Sequence, residues 1–282
     1  MKEFECSTKI RSKEEYTAYT WDPNLLDWEK ALTKMVCSNE GRRLGFPGRC
    51  QICNEDVEFV MSTEWMYHPE ILNFREIMTC PKCNLYNRAR ATLEMCLRII
   101  EKDDSVYMYE QLGGFYKRIR EYNNNTIGSE FLGEEMWPGS IAENGIRHED
   151  ARNLSFADLS FDCIISRDVF EHVSDIKAVL SEAFRVLKID GKMLVTVPFN
   201  FDSVNTSMRA QYGSNGKLIF IKEPEYHGNP LGGGSLVFYD YSWDLLEWIK
   251  EAGFKDAYWT PYYCVKTGNI GVNRLWFLIV EK

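Results

Sequence analysis

The stretch from Asn153 to Phe199, NLSFADLSFDCIISRDVFEHVSDIKAVLSEAFRVLKIDGKMLVTVPF, decides the fold class. Phe161 to Ser166 (FDCIIS) is a short, nearly continuous apolar run and reads as a buried strand. Ile176 to Leu187 carries apolar residues at helical spacing and reads as an amphipathic helix. Lys192 to Val197 (KMLVTV) is a second buried strand, closed by Pro198, which has no N–H to give to a ladder. Two apolar strands separated by a helix belong to a parallel sheet covered on both faces.

The same alternation extends outward. Upstream, Val106 to Tyr109 reads as a strand, Gly113-Gly114 as a turn and Phe115 to Tyr122 as a helix. Thr126 to Ser129 and Ile146 to Glu149 read as two further short strands. Downstream, Trp243 to Ala252 is a helix, with strands near Phe254 to Trp259 and Leu275 to Val280. The expectation is a doubly wound, mostly parallel α/β sheet over residues 103–282, which binds ligands at the carboxyl ends of its strands. Residues 200–240 break the pattern. They are rich in Gly, Asn and aromatics, with a Gly232-Gly233-Gly234 run, and read as an insertion covering the substrate.

Residues 1–45 read as an N-terminal arm with a helix around Leu25 to Val36, begun near Asp22-Pro23. Residues 46–102 hold two cysteine pairs and a linking helix with Leu93, Cys96, Leu97 and Ile100 on one side. Thiolates at i and i+3 of a tight knuckle can reach one ion, and two knuckles complete a tetrahedral site. Cys50, Cys53, Cys80 and Cys83 are therefore expected to hold a structural zinc. Four unrelated buried thiols and a redox dithiol are the other readings, and the presence of two pairs favours metal. Gly48 and Pro81 suit the knuckle turns, and His68 is a substitute ligand by position. Cys6, Cys37, Cys96, Cys163 and Cys264 read as ordinary residues.

The 282 residues are 45% hydrophobic and 14% aromatic, enough to bury a core and too much for a disordered chain. The longest apolar runs fall far short of a membrane span, and MKEFECSTKI has no signal-peptide core, so a soluble, cytoplasmic protein is expected. A net charge of −9 with a pI near 5.2 argues against a nucleic-acid partner, which usually meets a basic face. Arg42, Arg43, Arg49, Arg88 and Arg90 flank the cysteine module and keep an RNA substrate as a minor reading.

The segments LSFADLSFD, DVFEHV and RVLKIDGKMLVTVP, in that order and spacing, resemble the core of class I S-adenosylmethionine (SAM)-dependent methyltransferases of the type 11 kind. With the cysteine module and the Gly128-Ser129-Glu130 element, the chain also resembles zinc-finger-bearing methyltransferases of bacterial glycan or secondary-metabolite pathways. The resemblance implies a seven-stranded Rossmann-like sheet and SAM as cofactor. It places Glu130 on the ribose hydroxyls, Asp150 and the Ala151 backbone on the adenine, and Asp168 beside the methyl group. Glu110, Gly113 and Gly114 would line the methionine portion, although YEQLGGFY departs from the usual acid-x-Gly-x-Gly turn. That departure admits a non-catalytic binding protein on the same fold.

An oxygen acceptor must lose a proton, and a histidine with a pKa of about 6.5 suits that step. His68 falls in the cysteine module and His148 on a strand, leaving His172 in EHV and His227 in EPEYHGNP as candidate bases. Tyr226 stands ready to hydrogen-bond the acceptor, and Glu171 to face it. The reading is methyl transfer to a hydroxyl of a small molecule or saccharide, with oligomeric state left open.

Overall fold

The computed structural model describes residues 8–19, 22, 24–38, 44–63, 66–68, 71–271 and 275–282. Cys6, Pro23, Arg42 and Arg43 lie outside the described residues, as does the side chain of His68. The chain divides into two compact units. One gathers Met1–Lys9, Ala18–Arg98 and Trp259–Phe277; the other gathers Ile10–Thr17, Ile99–Tyr258 and Leu278–Lys282. Among the described residues no helix is long and apolar enough to cross a membrane.

In the first unit, helix Asn24–Cys37 turns Leu25, Leu32 and Val36 into a core with Phe59, Phe74, Met78 and Tyr263. Strands Leu44–Cys50 and Glu55–Met61 pair antiparallel from Leu44↔Met61 to Cys50↔Glu55, so the first cysteine pair caps a tight hairpin end. Residues 259–277 read from the sequence as part of the α/β domain, yet they cluster here. Buried polar side chains hold them. Glu29 Oε1 accepts from Tyr263 Oη at 3.0 Å and from the Gly271 N–H at 2.9 Å. Glu94 accepts from Tyr262 Oη at 2.7 Å, and Asn87 Nδ2 donates to Ile270 O at 2.6 Å. A buried carboxylate is stable only with such donors, so these contacts set where the late segment goes.

The six-stranded sheet has the order Asp256–Tyr262, Leu275–Glu281, Leu187–Thr196, Phe161–Arg167, Val106–Met108, Thr126–Gly128, with residues 259–262 and 275–277 of its first two strands counted with the first unit. The last four pair parallel, and Leu275–Glu281 runs antiparallel to Leu187–Thr196. Val106, Tyr107, Met108, Ile164, Leu194 and Val195 are fully buried, as central parallel strands require. Helix Ile176–Val186 starts at Asp175, whose carboxylate accepts the Ala178 N–H at 3.1 Å, and buries Ile176, Val179, Leu180, Ala183 and Val186.

The sheet has six strands among the described residues where seven are expected. Ile146–Glu149 keeps a single parallel bridge, Glu130↔His148. Its backbone is drawn away: the His148 N–H donates to Ser140 O at 2.8 Å and the Arg147 N–H to Gln111 Oε1 at 2.7 Å. The 200–240 insertion is built from short antiparallel pairs: Ala210–Tyr212 with Leu218–Phe220, Tyr226–His227 with Ser235–Leu236, and Ser207–Met208 with Tyr239–Asp240. It is pinned to the turn after Phe161–Arg167, because Tyr241 Oη donates to Phe170 O at 2.8 Å and the Phe238 N–H to Glu171 O at 2.7 Å.

Gly128 ends its strand where a Cβ would overlap Glu110 O and lie 2.6 Å from the Tyr116 ring. Gly128→Ala is expected to cost about 1–3 kcal/mol, since a backbone oxygen yields little. Urea unfolding reads this as a lowered midpoint, and an unchanged midpoint would show that the strand end is looser than this packing implies.

Candidate functional site

The cysteines come together in the first unit. The Sγ atoms of Cys50, Cys53, Cys80 and Cys83 all lie within 4.8 Å of one another, with Cys50–Cys83 at 3.9 Å and Cys53–Cys80 at 3.8 Å. A tetrahedral ion with Zn–S bonds of about 2.3 Å requires sulfur–sulfur edges of about 3.8 Å. The two knuckles are alike. Each second cysteine is followed by an asparagine in the left-handed region, Asn54 at φ 55° and Asn84 at φ 58°, a conformation that asparagine tolerates better than most residues. In the second knuckle the Asn84 N–H donates to Cys80 O at 3.0 Å and the Lys82 N–H points at Cys80 Sγ at 3.4 Å.

The Cys83 thiol hydrogen-bonds to Cys50 and pulls its pKa down to about 5, while burial and then the Cys50 charge push Cys53 up to about 11. Cys83 is pushed up as well, first by its bond to Cys50. Arg90 is buried beside them. It donates to Met78 O at 2.6 Å and Gly268 O at 3.2 Å, and its guanidinium lies 4.0 Å over the Phe59 ring. Burial lowers its pKa, and the charges of Cys50, Cys80 and Cys83 act in the other direction. A buried cation fits an anionic thiolate cluster.

In the second unit, the parallel strands deliver their acids to one edge. Glu110, just beyond Val106–Met108, pairs with Arg167 at 2.8 Å, and the guanidinium stacks 3.8 Å over the Phe115 ring. Burial raises the Glu110 pKa; Arg167 opposes this, while the charges of Glu130 and Asp168 add to it. Gly113 has φ +94°, and a Cβ there would meet nothing within 4 Å, nor would one at Gly114. The turn is therefore an open cradle that only glycine enters without strain. Glu130 Oε1 accepts the N–H groups of Gln111 and Leu112, both at 2.8 Å, so this acid ties the glycine turn to the neighbouring strand end. No described residue donates to its Oε2.

Asp150 is engaged by Arg152, with Nη2 at 2.7 Å and the Arg152 N–H at 2.9 Å. Burial raises its pKa, but the Arg152 bonds win and the net shift is downward. Ala151 sits in the turn between them. Asp168 adopts φ +50° and accepts from Thr196 Oγ1 at 3.1 Å.

Past Asp168, a short 3-10 turn at Phe170–His172 carries Glu171 and His172, and the insertion brings His227 onto them. Glu171 is fully buried, and its carboxylate faces two imidazoles at distances long for hydrogen bonds. His227 Nδ1 lies 3.5 Å and His172 Nε2 3.7 Å from Glu171 Oε1, and the two imidazoles meet edge to face at 5.0 Å. Glu171 raises the His227 pKa more than any other group. Tyr226 is not brought into this cluster; it is 58% exposed, and successive strand residues face opposite ways. Two contributors went unread in the sequence. Arg167 sits one residue before Asp168, and Glu225, two residues before His227, lies 3.3 Å from His227 Nε2. The strand ending FDCIISR offered a signal for the first; nothing but spacing offered one for the second.

No curated protein matches the chain. Among solved structures it is similar to a SAM-dependent methyltransferase from Mesorhizobium loti, at 16% identity and a TM-score of 0.44, covering 69% of this chain and 96% of that one. It is also similar to an S-adenosylmethionine-dependent methyltransferase from Listeria monocytogenes (8%, 0.42, 69% and 96%). A third is the 1,6-didemethyltoxoflavin-N1-methyltransferase of Burkholderia thailandensis (13%, 0.38, 69% and 76%). Residues 115–195, which run from the helix after the glycine turn through the strand at Leu187–Thr196, match the type 11 methyltransferase domain family. Residues 115–195 thus carry a SAM-dependent methyltransferase domain.

Proposed function

We propose that the protein transfers the methyl group of SAM to a hydroxyl oxygen of a small-molecule or saccharide acceptor, and that its cysteine module holds a structural zinc. The observation that carries the methyl-transfer reading is the continuity at the strand ends: the glycine cradle and its acids adjoin the buried Glu171–His172–His227 cluster. SAM fits these residues. The open turn at Gly113-Gly114 leaves space for the methionine portion, with Glu110 and Asp168 bordering it, and Glu130 Oε2 is left for the ribose hydroxyls. Asp150 and Ala151 remain the proposed adenine contacts, with Arg152 holding the carboxylate in place.

SAM supplies a methyl group already activated on a sulfonium, so this chain's residues mainly have to hold the acceptor in line and strip its proton. The acceptor side is the face where the insertion meets the Phe170–His172 turn. Here His172 and His227 converge on Glu171, and the hydroxyl is proposed to lose its proton at this cluster, with Tyr226 contributing from the rim. The exposed aromatics Tyr212, Phe220 and Tyr226 on the insertion suit the faces of sugar rings, and the net charge of −9 disfavours a polyanion. The RNA reading loses ground at the arginines: Arg90 is buried, Arg49 pairs with Asp56 and Arg88 with Glu76.

Two outcomes are expected. Glu130→Ala should weaken SAM binding by about 10- to 100-fold in calorimetry, the range for losing a charged hydrogen-bond acceptor. Should the wild type bind neither SAM nor S-adenosylhomocysteine, a non-catalytic role on the same fold would stand instead. Cys53→Ser with Cys83→Ser should release the zinc measured by elemental analysis and lower the melting temperature of the chain. Wild-type protein that purifies without zinc and takes up none would end the structural-zinc reading.

A further inference from the structure

We propose that Glu171, His172 and His227 form a binding site for a divalent transition-metal ion, open on one side for the acceptor hydroxyl. The role given to the acceptor rests on the methyl-transfer reading; the metal site itself does not.

The argument starts from where the protons must be. His172 Nδ1 lies 2.9 Å from Leu236 O, and a carbonyl can only accept, so Nδ1 carries the hydrogen and Nε2 turns a lone pair toward Glu171. His227 Nε2 faces Glu225 Oε1 at 3.3 Å and donates to it, which leaves the Nδ1 lone pair facing Glu171 as well. The third member is a fully buried carboxylate whose contacts to the two imidazoles, at 3.5 and 3.7 Å, are long for hydrogen bonds. One ligand atom from each of the three residues thus lies within 4.8 Å of the others. Burial of an uncompensated carboxylate is costly, and Asp168 and Glu225 add further negative charge nearby.

A cation at the centre resolves this. The separations of 3.5 and 3.7 Å from Glu171 Oε1 are long for hydrogen bonds. They are close to the edges of about 3.4 Å expected for nitrogen and oxygen ligands about 2.1 Å from one ion. The outer N–H of each imidazole is held by an oxygen, a carbonyl for His172 and a carboxylate for His227, which is how metal-binding histidines are oriented. A proton on His227 Nδ1 would satisfy only the edge toward Glu171 and would leave His172 Nε2 without a role.

Two imidazoles and one carboxylate suit zinc, manganese, iron or cobalt, and three protein ligands leave coordination positions open. A hydroxyl bound there would be more acidic and would release its proton to water, since both histidines are taken up as ligands, so the ion would do the work for which a histidine base is expected from the sequence. The ligands come from two segments, the Phe170–His172 turn and the insertion, and the Phe238 N–H to Glu171 O bond holds them together.

Manganese discriminates the sites, because it prefers nitrogen and oxygen ligands to thiolates. Full-length protein with its cysteine site left intact is titrated with Mn2+ in a calorimeter, as wild type and as Glu171→Gln, His172→Asn and His227→Ala. Wild type is expected to take up one Mn2+ per chain, and each variant to bind at least ~100-fold more weakly. Unchanged far-ultraviolet circular dichroism and an unchanged metal content at the cysteines mark a variant as folded. Failure of the wild type to bind Mn2+, Co2+ or Zn2+ beyond the cysteine site overturns the proposal, as does undiminished affinity in the folded variants. SAM titration of the same samples separates the two readings. SAM binding without metal uptake removes the metal site alone; metal uptake without SAM binding removes methyl transfer and leaves the metal site standing.

Discussion

Parallel pairing of Val106–Met108 with Phe161–Arg167, in register from Val106↔Cys163 to Met108↔Ile165, fixes where the chemistry of the second unit must collect. Both strands are buried along their length and both end at the same edge, so the chain leaves the sheet at Glu110 and Arg167 side by side. Their ion pair is the consequence. A carboxylate emerging from a central strand meets the cation emerging from its neighbour, and the guanidinium covers Phe115 at the start of the next helix. Glu130, one strand further out, completes the edge by accepting two backbone N–H groups of the glycine turn. Two acids, Glu110 and Glu130, are thus held near one another because parallel topology leaves them no other place.

The insertion uses the same edge. It is inserted after Leu187–Thr196 and folds as three short antiparallel pairs, too small to be stable alone. Its order comes from what it grips. Tyr241, Phe238 and Tyr239 bond to backbone oxygens of the Phe170–Ser174 turn, at 2.8, 2.7 and 2.7 Å respectively. Because the gripped turn carries Glu171 and His172, the bonds that fold the insertion also deliver His227 to the cluster. The order of the insertion and the integrity of the cluster are thereby coupled.

Much of this was legible in the sequence because it depends on local pattern. FDCIIS and KMLVTV are apolar for the full length of a strand, and the helix between them has one apolar face, so their order implied the parallel sheet. The cysteine knuckles were legible by spacing. What escaped was non-local or polar. The strand expected at Ile146–Glu149 has the right residues, but a side chain, Gln111, and a loop carbonyl, that of Ser140, take its N–H groups. Residues 259–277 have the composition of any late strand region; only the buried acids Glu29 and Glu94, far away in sequence, show where they go. His227 could be named from the chain, but the carboxylate it meets could not be ranked above its neighbours without knowing that Glu171 is buried.

The buried glutamates allow a comparison within the molecule. Glu149 accepts from Arg147 at 2.7 Å and from the backbone and hydroxyl of Ser155. Glu94 accepts from Arg98 and Tyr262, and Glu29 from Tyr263 and Gly271. Each of these acids is buried with donors supplied, as the cost of desolvating a carboxylate demands. Glu171 is as deeply buried, and the imidazole nitrogens of His227 and His172 face its Oε1 at 3.5 and 3.7 Å. The chain has solved the same problem elsewhere with arginines, hydroxyls and backbone amides, whereas at Glu171 two imidazoles face the carboxylate. The cysteine cluster shows the same imbalance, four sulfurs offset in part by one buried arginine. In both places side chains of a kind that binds metal are gathered with one atom each within 4.8 Å of the others.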